Sequence, residues 1–356
     1  MNAYVTYVVS LKKPNGYTSS IVRRYSDFDW LYGILKAEFK HLIVPPLPEK
    51  VLFDRFSVEN VENRRKELEK FINRVINDAR FSKSESVKLF LTANETVMNN
   101  ERAKPRTQEK AEEKKKEEKK GFFSAISAIT AVVAGPSVEF KEVDPWYDSQ
   151  KSYLNSLDIH LKILISKVNS NIKKREDIIV SLDEFSKAAS LACGSEVGQD
   201  DALADFWGKF SDILLQMGNL SRELANGETD IFESQLRDYV RLVGASKELL
   251  DNRNASLLKL QTCQADASSK SEKVHKATKS KAALEAELQL ANKATEDANQ
   301  EFNFMTHSAK EELENFKKEK SDHLRSALRE LVTTNINHQL RVVDLWKELL
   351  GEIDKL

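Results

Sequence analysis

The residues best placed to do chemistry in this 356-residue chain are cationic and fall in three clusters. Arg23-Arg24-Tyr25-Ser26-Asp27-Phe28 sets two guanidinium groups beside an aromatic ring. Guanidinium forks match phosphate oxygens bidentately, and a tyrosine ring offers a flat surface on which a sugar-like ring can rest. Twenty residues on, Pro45-Pro46-Leu47-Pro48-Glu49-Lys50 is a stiff loop that ends in a cation. Arg64-Arg65-Lys66-Glu67-Leu68-Glu69-Lys70-Phe71 then puts basic residues on the first turns of a helix. Taken singly, each cluster has an ordinary explanation as surface arginines, a turn and a solvated helix face.

Nothing in the chain describes catalysis. There is no glycine-rich phosphate loop and no His and Glu metal motif, and the six histidines are scattered. Cys193 and Cys263 lie far apart without metal-ligand spacing, which leaves two buried free thiols and neither a disulfide framework nor a zinc site. A non-enzymatic protein with no cofactor and no metal is expected. The charge is uneven, with 25 basic against 18 acidic residues in 1–120 and 30 against 38 in 121–356. A basic N-terminal third suggests an anionic partner, either lipid headgroups or nucleic acid. Nucleic acid is disfavoured, because neither a recognition fold nor aromatics interleaved with basic residues occurs.

Stepping along the chain gives the elements that position these clusters. Tyr4 to Val9 and Tyr17 to Tyr25 flank a Pro14-Asn15-Gly16 turn and predict a hairpin. Phe28, Leu31, Leu35 and Phe39 have helical spacing within Asp27 to Phe39, and further helical patterns run from Glu59 to Ile76 and from Ser84 to Leu91. Strand pair, helix, rigid loop and helices make a small α+β domain over residues 1–98. A charged linker follows over 99–120, dominated by Lys and Glu.

All seven prolines lie at or before Pro145, so the rest of the chain can be helix almost throughout. Asp144-Pro145 is a helix start, with Asp as N-cap and Pro at the first helical position. Three apolar seams with spacings of three and four follow, interrupted at Gly194 to Gly198 and at the basic stretch Lys270 to Lys281. Helices of this size are roughly 75 to 110 Å long, and burying their seams calls for a bundle and a second copy. Between linker and bundle, over 121–135, Phe122, Ile126, Ile129 and Val133 fall on one narrow helical face opposite small residues. That segment reads as an amphipathic wedge for one leaflet or as a helix docked on its own bundle, and its position favours the wedge. The longest apolar stretch, Gly121 to Pro136, is too short to span a bilayer and is not N-terminal, so a cytosolic protein is predicted.

In this order and spacing the three basic clusters resemble the PX domain of phosphoinositide-binding proteins. The resemblance implies that Arg24 holds a 3-phosphate, that Tyr25 stacks under the inositol ring, that Lys50 meets the 1-phosphate and that Arg64 bonds the 4- and 5-hydroxyls. Arg23 is assigned to supporting the fold or orienting the loop. Leu42, Ile43, Val44 and Leu47 serve either shallow insertion or packing. The family's domain usually opens with a strand ahead of the one matching Asn2 to Val9, and this sequence starts without it, so a weakened sheet is expected.

Residues 144–356 resemble the BAR domains of the retromer-associated sorting nexins. Asp144-Pro145-Trp146-Tyr147, Tyr239-Val240-Arg241-Leu242, Phe316-Lys317-Lys318-Glu319-Lys320 and Leu345-Trp346-Lys347-Glu348-Leu349-Leu350 carry this resemblance. It implies an all-α, three-long-helix coiled-coil domain for dimerisation and curvature. The implied protein is peripheral on the cytosolic face of early endosomes and binds phosphatidylinositol 3-phosphate membranes. Its implied partners are a second copy or another sorting nexin and the retromer core, in endosomal sorting and retrograde transport. Lys173-Lys174-Arg175, Lys270 to Lys281 and Lys317, Lys318 and Lys320 would offer further cations to anionic lipid, or mark solvated faces. The rival reading is a PX adaptor whose coiled coil only scaffolds protein partners.

Overall fold

The computed structural model describes residues 4–12, 18–49, 56–104, 140–277 and 281–354. Strands β1 (Thr6–Lys12) and β2 (Thr18–Arg24) pair antiparallel, from Thr6 opposite Arg24 to Lys12 opposite Thr18. The period of two along a strand puts Tyr7 and Arg23 on the inner face, both buried, and the facing pair Val8 and Val22 on the outer one, both exposed.

The chain turns from β2 directly into α1 (Tyr25–Glu38), and the Asp27 carboxylate accepts the Arg24 backbone N–H at 2.7 Å to cap the junction. Helix α1 buries Phe28, Trp30, Leu31 and Leu35, a face set by spacings of three and four. Helices α2 (Val58–Asn77), α3 (Glu85–Thr92) and α4 (Glu95–Ala103) close the core, capped by Ser57, Ser84 and Asn94 side chains. At the centre Phe28 meets Phe90 at 4.9 Å and Phe71 at 6.3 Å, both edge-on. Met98 on α4 joins this core, so folded structure runs across the expected start of the linker.

Among the described residues four further helices follow: α5 (Pro145–Glu196), α6 (Asp201–Gly227), α7 (Ser234–Lys276) and α8 (Lys281–Ile353). The expected start at Asp144-Pro145 is present, with Asp144 Oδ1 accepting the Trp146 N–H at 2.9 Å. The expected break is present as well. Gly198 takes a φ of 75°, the left-handed region open to glycine, and Asp200 caps α6 through the Leu203 N–H. A π-helical turn, Glu228–Glu233, joins α6 to α7 and was not foreseen. The architecture is therefore a small α+β sheet-and-helix domain followed by a long helical region.

The chain divides into two compact units. One combines Met1–Lys151 with Ala245–Glu312, the other Ser152–Gly244 with Leu313–Leu356. In the helical part of the first, Leu257, Leu260, Ala298 and Phe302 form a core cluster. Beside it the wholly buried Arg253 stacks on Tyr147 at 3.9 Å and on Phe302 at 4.9 Å and pairs with Glu142. That cage ties the entry of α5 to α7 and α8. In the second unit Ile213, Met217 and Leu349 form one core cluster, and the Tyr239 hydroxyl lies 2.6 Å from His323 Nδ1.

Candidate functional site

The two arginines at the end of β2 have opposite fates, as period-two alternation demands. Arg23 points inward and is 1% exposed. Its Nε donates to the Phe90 carbonyl at 2.8 Å and its Nη2 to the Ala93 carbonyl at 2.7 Å, which satisfies the end of α3. Burial lowers its pKa, with Asp27 acting in the opposite direction. Arg23 therefore supports the fold, in agreement with the reading of the sequence.

Arg24 points outward. Its guanidinium pairs with the Glu95 carboxylate and stacks 3.8 Å from the Tyr4 ring, beside a cavity of about 150 Å³ that Asn99 and Arg102 also line. Arg102 steadies the same corner: Nη1 donates to Ser26 Oγ at 2.6 Å, and Nε lies 3.0 Å from Asp27 Oδ1 without hydrogen-bonding direction.

Tyr25 opens α1, and its hydroxyl donates to the Pro48 carbonyl at 2.7 Å. The Arg64 guanidinium, on α2, sits 5.7 Å from the centre of its ring. Burial first, then the neighbouring Asp29, pushes the Tyr25 phenol up to about 12, so it remains a hydrogen-bond donor throughout the physiological range. Tyr25 thus touches the proline loop on one side and lies beside Arg64 on the other. Arg24 is adjacent in sequence but is engaged by Tyr4 and Glu95, neither of which any motif marks out. Arg65 pairs with Glu62 and Glu69 along its own helix, as a solvated face does.

Two groups of sequence-predicted residues are placed differently. Leu42 and Val44 are 6% and 5% exposed and belong to the core under α1 and α2, so of the two roles considered for that segment they pack and do not insert. Phe56, just ahead of α2, and Val58, its first residue, are exposed apolar side chains. Lys50 and the amphipathic residues Phe122, Ile126, Ile129 and Val133 lie outside the described residues.

The second unit carries a different surface. On α8, Leu328, Val332, Ile336, Leu340, Val343, Trp346, Leu350 and Ile353 recur at spacings of three and four, each 45–58% exposed. A regular stripe of this kind is more apolar surface than a lone soluble chain usually leaves open. Of the cations singled out in this unit, Arg175 is held by Glu228 at 2.9 Å, Lys317 and Lys320 lie against Tyr153, and Lys318 is exposed. Among the described residues no helix is long and apolar enough to cross a membrane.

Residues 11–94 match the PX domain family, and residues 115–352 match the family described as Vps5 C terminal like. Sorting nexin 1 of Arabidopsis thaliana is 28% identical over 370 residues, covering 99% of this chain and 89% of that one. Sorting nexin-1 of Homo sapiens is 24% identical, covering 99% of this chain and 69% of that one. Among solved structures, the cryo-EM structure of the SNX-BAR Mvp1 tetramer superposes with a TM-score of 0.62 at 18% identity, covering 98% of this chain and 96% of that one, a likeness of fold.

Proposed function

The chain belongs to the sorting nexins that join a PX domain to a Vps5-like C-terminal BAR domain, and on that premise we propose that it binds phosphatidylinositol 3-phosphate on the cytosolic face of early endosomes and shapes those membranes as a dimer. The observation that carries this reading is the Tyr25 ring, fixed between the Pro48 carbonyl and Arg64 and following Arg24 in the chain. A 3-phosphate would replace the Glu95 carboxylate on Arg24, exchanging one anion for a more highly charged one. The inositol ring would rest on Tyr25, its 4- and 5-hydroxyls within reach of Arg64, and Lys50 would meet the 1-phosphate near the bilayer.

The apolar stripe on α8 supports dimerisation through residues 144–356, with a second copy or with another sorting nexin. Phe122, Ile126, Ile129 and Val133 would enter one leaflet. Two weak contacts, a headgroup site and a dimeric membrane-facing surface, reinforce each other through effective concentration. Only membranes with both the lipid and the curvature then retain the protein, which suits endosomal sorting and retrograde transport with the retromer core. Flotation with liposomes carrying each phosphoinositide in turn tests the reading. Retention on phosphatidylinositol 3-phosphate above all others is the expected outcome.

A further inference from the structure

The proline loop at the proposed lipid site is held from two sides. At one end Tyr25 takes the Pro48 carbonyl. At the other, five residues earlier, the Ile43 N–H donates to Glu312 Oε2 at 3.1 Å, and Glu312 belongs to α8, in the same compact unit. His41 to Glu49 forms no helix or strand, so its backbone N–H groups need partners outside regular structure. Glu312 is 7% exposed, and its other oxygen receives the Arg80 guanidinium, itself paired with Asp78 at 2.7 Å. Surrounding contacts favour the same seat. Lys36 pairs with Glu248 at 2.7 Å, Asn252 Nδ2 donates to the Lys40 carbonyl at 3.0 Å, and the His41 ring lies 4.8 Å from that of Phe304.

We propose that Glu312 is a positioning residue for the phosphoinositide site: its buried carboxylate, supplied by the helical region, fixes Ile43 and so sets the proline loop against Tyr25. The inference rests on the phosphoinositide reading above and extends it, because it makes headgroup affinity a property of the whole chain and not of the PX domain alone. Without the acceptor, a partly buried N–H loses its partner and the loop gains freedom at the Ile43 end, while Tyr25 and Arg64 are untouched.

The test titrates soluble dibutanoyl phosphatidylinositol 3-phosphate into the 356-residue wild type, Glu312→Ala, Glu312→Gln and Arg24→Ala, and follows hydrogen exchange at the Ile43 amide. Glu312→Ala should bind about tenfold more weakly and speed Ile43 exchange, an effect of the size expected for one unsatisfied buried donor. Glu312→Gln keeps one carbonyl oxygen, for which the Ile43 N–H and the Arg80 guanidinium compete, and should recover part of the lost affinity, which a general loss of packing would not do. Equal affinity of wild type and Glu312→Ala would overturn the proposal while leaving the phosphoinositide reading intact. So would a Glu312→Gln variant as weak as Glu312→Ala. Equal, negligible binding by wild type and Arg24→Ala would overturn both.

Discussion

The Tyr25 hydroxyl donates to the Pro48 carbonyl at 2.7 Å across a separation of 23 residues, which makes the proposed stacking ring also the clasp of the loop beside it. Its phenol is pushed up to about 12 from an ordinary value of 10.0, chiefly by burial. A neutral group favoured by folding contributes stability that is fully present below pH 10 and is lost as pH rises through about 12. Wild type should therefore lose stability between pH 10 and 12 relative to Tyr25→Phe, and Tyr25 should contribute no slope between pH 5 and 8. Removing the hydroxyl at neutral pH should itself cost about 1 kcal/mol. Denaturant midpoints of the two proteins across the pH range would check both statements.

The α8 stripe yields a prediction about assembly. Leu340 and Leu350 are 58% exposed each, so charges placed there leave one chain's core alone and fall within the proposed contact between copies. Leu340→Asp with Leu350→Asp should weaken self-association by at least about a hundredfold, since four apolar contacts per dimer are lost. Sedimentation equilibrium at micromolar concentration should show a mass twice that of one chain for wild type and near one chain for the variant. A wild type that stays monomeric would leave assembly to a different sorting nexin.

The proposed wedge is tested by Phe122→Glu with Ile126→Glu. Two charges at apolar positions make insertion unfavourable by several kcal/mol, so liposome tubulation and the preference for small vesicles should fall sharply. Headgroup-dependent binding to large, flat liposomes should survive. Thermal unfolding of the same variant before membrane is added separates the alternatives. A lowered melting temperature would indicate a helix docked on the protein, and normal melting with lost tubulation supports insertion.

Local order was largely legible in the sequence, because local order is what periodicity encodes. The spacing of Phe28, Leu31 and Leu35 gave α1, and Asp144-Pro145 gave the start of α5. Helix α4 was missed because only Met98 of its nine residues is buried and the rest merge into a polar stretch. The π turn left no trace in the spacing, since Leu224 and Leu236 lie twelve residues apart, a distance that steps of three or four bridge. At the site, Arg24, Tyr25 and Arg64 were recognisable as a motif. Their neighbours were not, since Arg24 meets Glu95 across 71 residues and Ile43 meets Glu312 across 269. No composition or period carries information over such separations. Leu42 and Val44 show the converse, for apolar residues beside a proline loop look alike whether they face a bilayer or a core until the fold decides.

Whether Arg24 carries the phosphate of a membrane lipid is decided by flotation of wild type and Arg24→Ala on liposomes with and without phosphatidylinositol 3-phosphate. Arg24 is part-exposed and, among the described residues, its guanidinium is held by Glu95 and Tyr4, so its removal should leave the circular dichroism spectrum and the oligomeric state unchanged. Wild type should float with the lipid-bearing liposomes and Arg24→Ala should remain with the soluble fraction, because the proposed bidentate phosphate contact is lost with the guanidinium. A folded Arg24→Ala protein that floats as well as wild type would contradict the assignment.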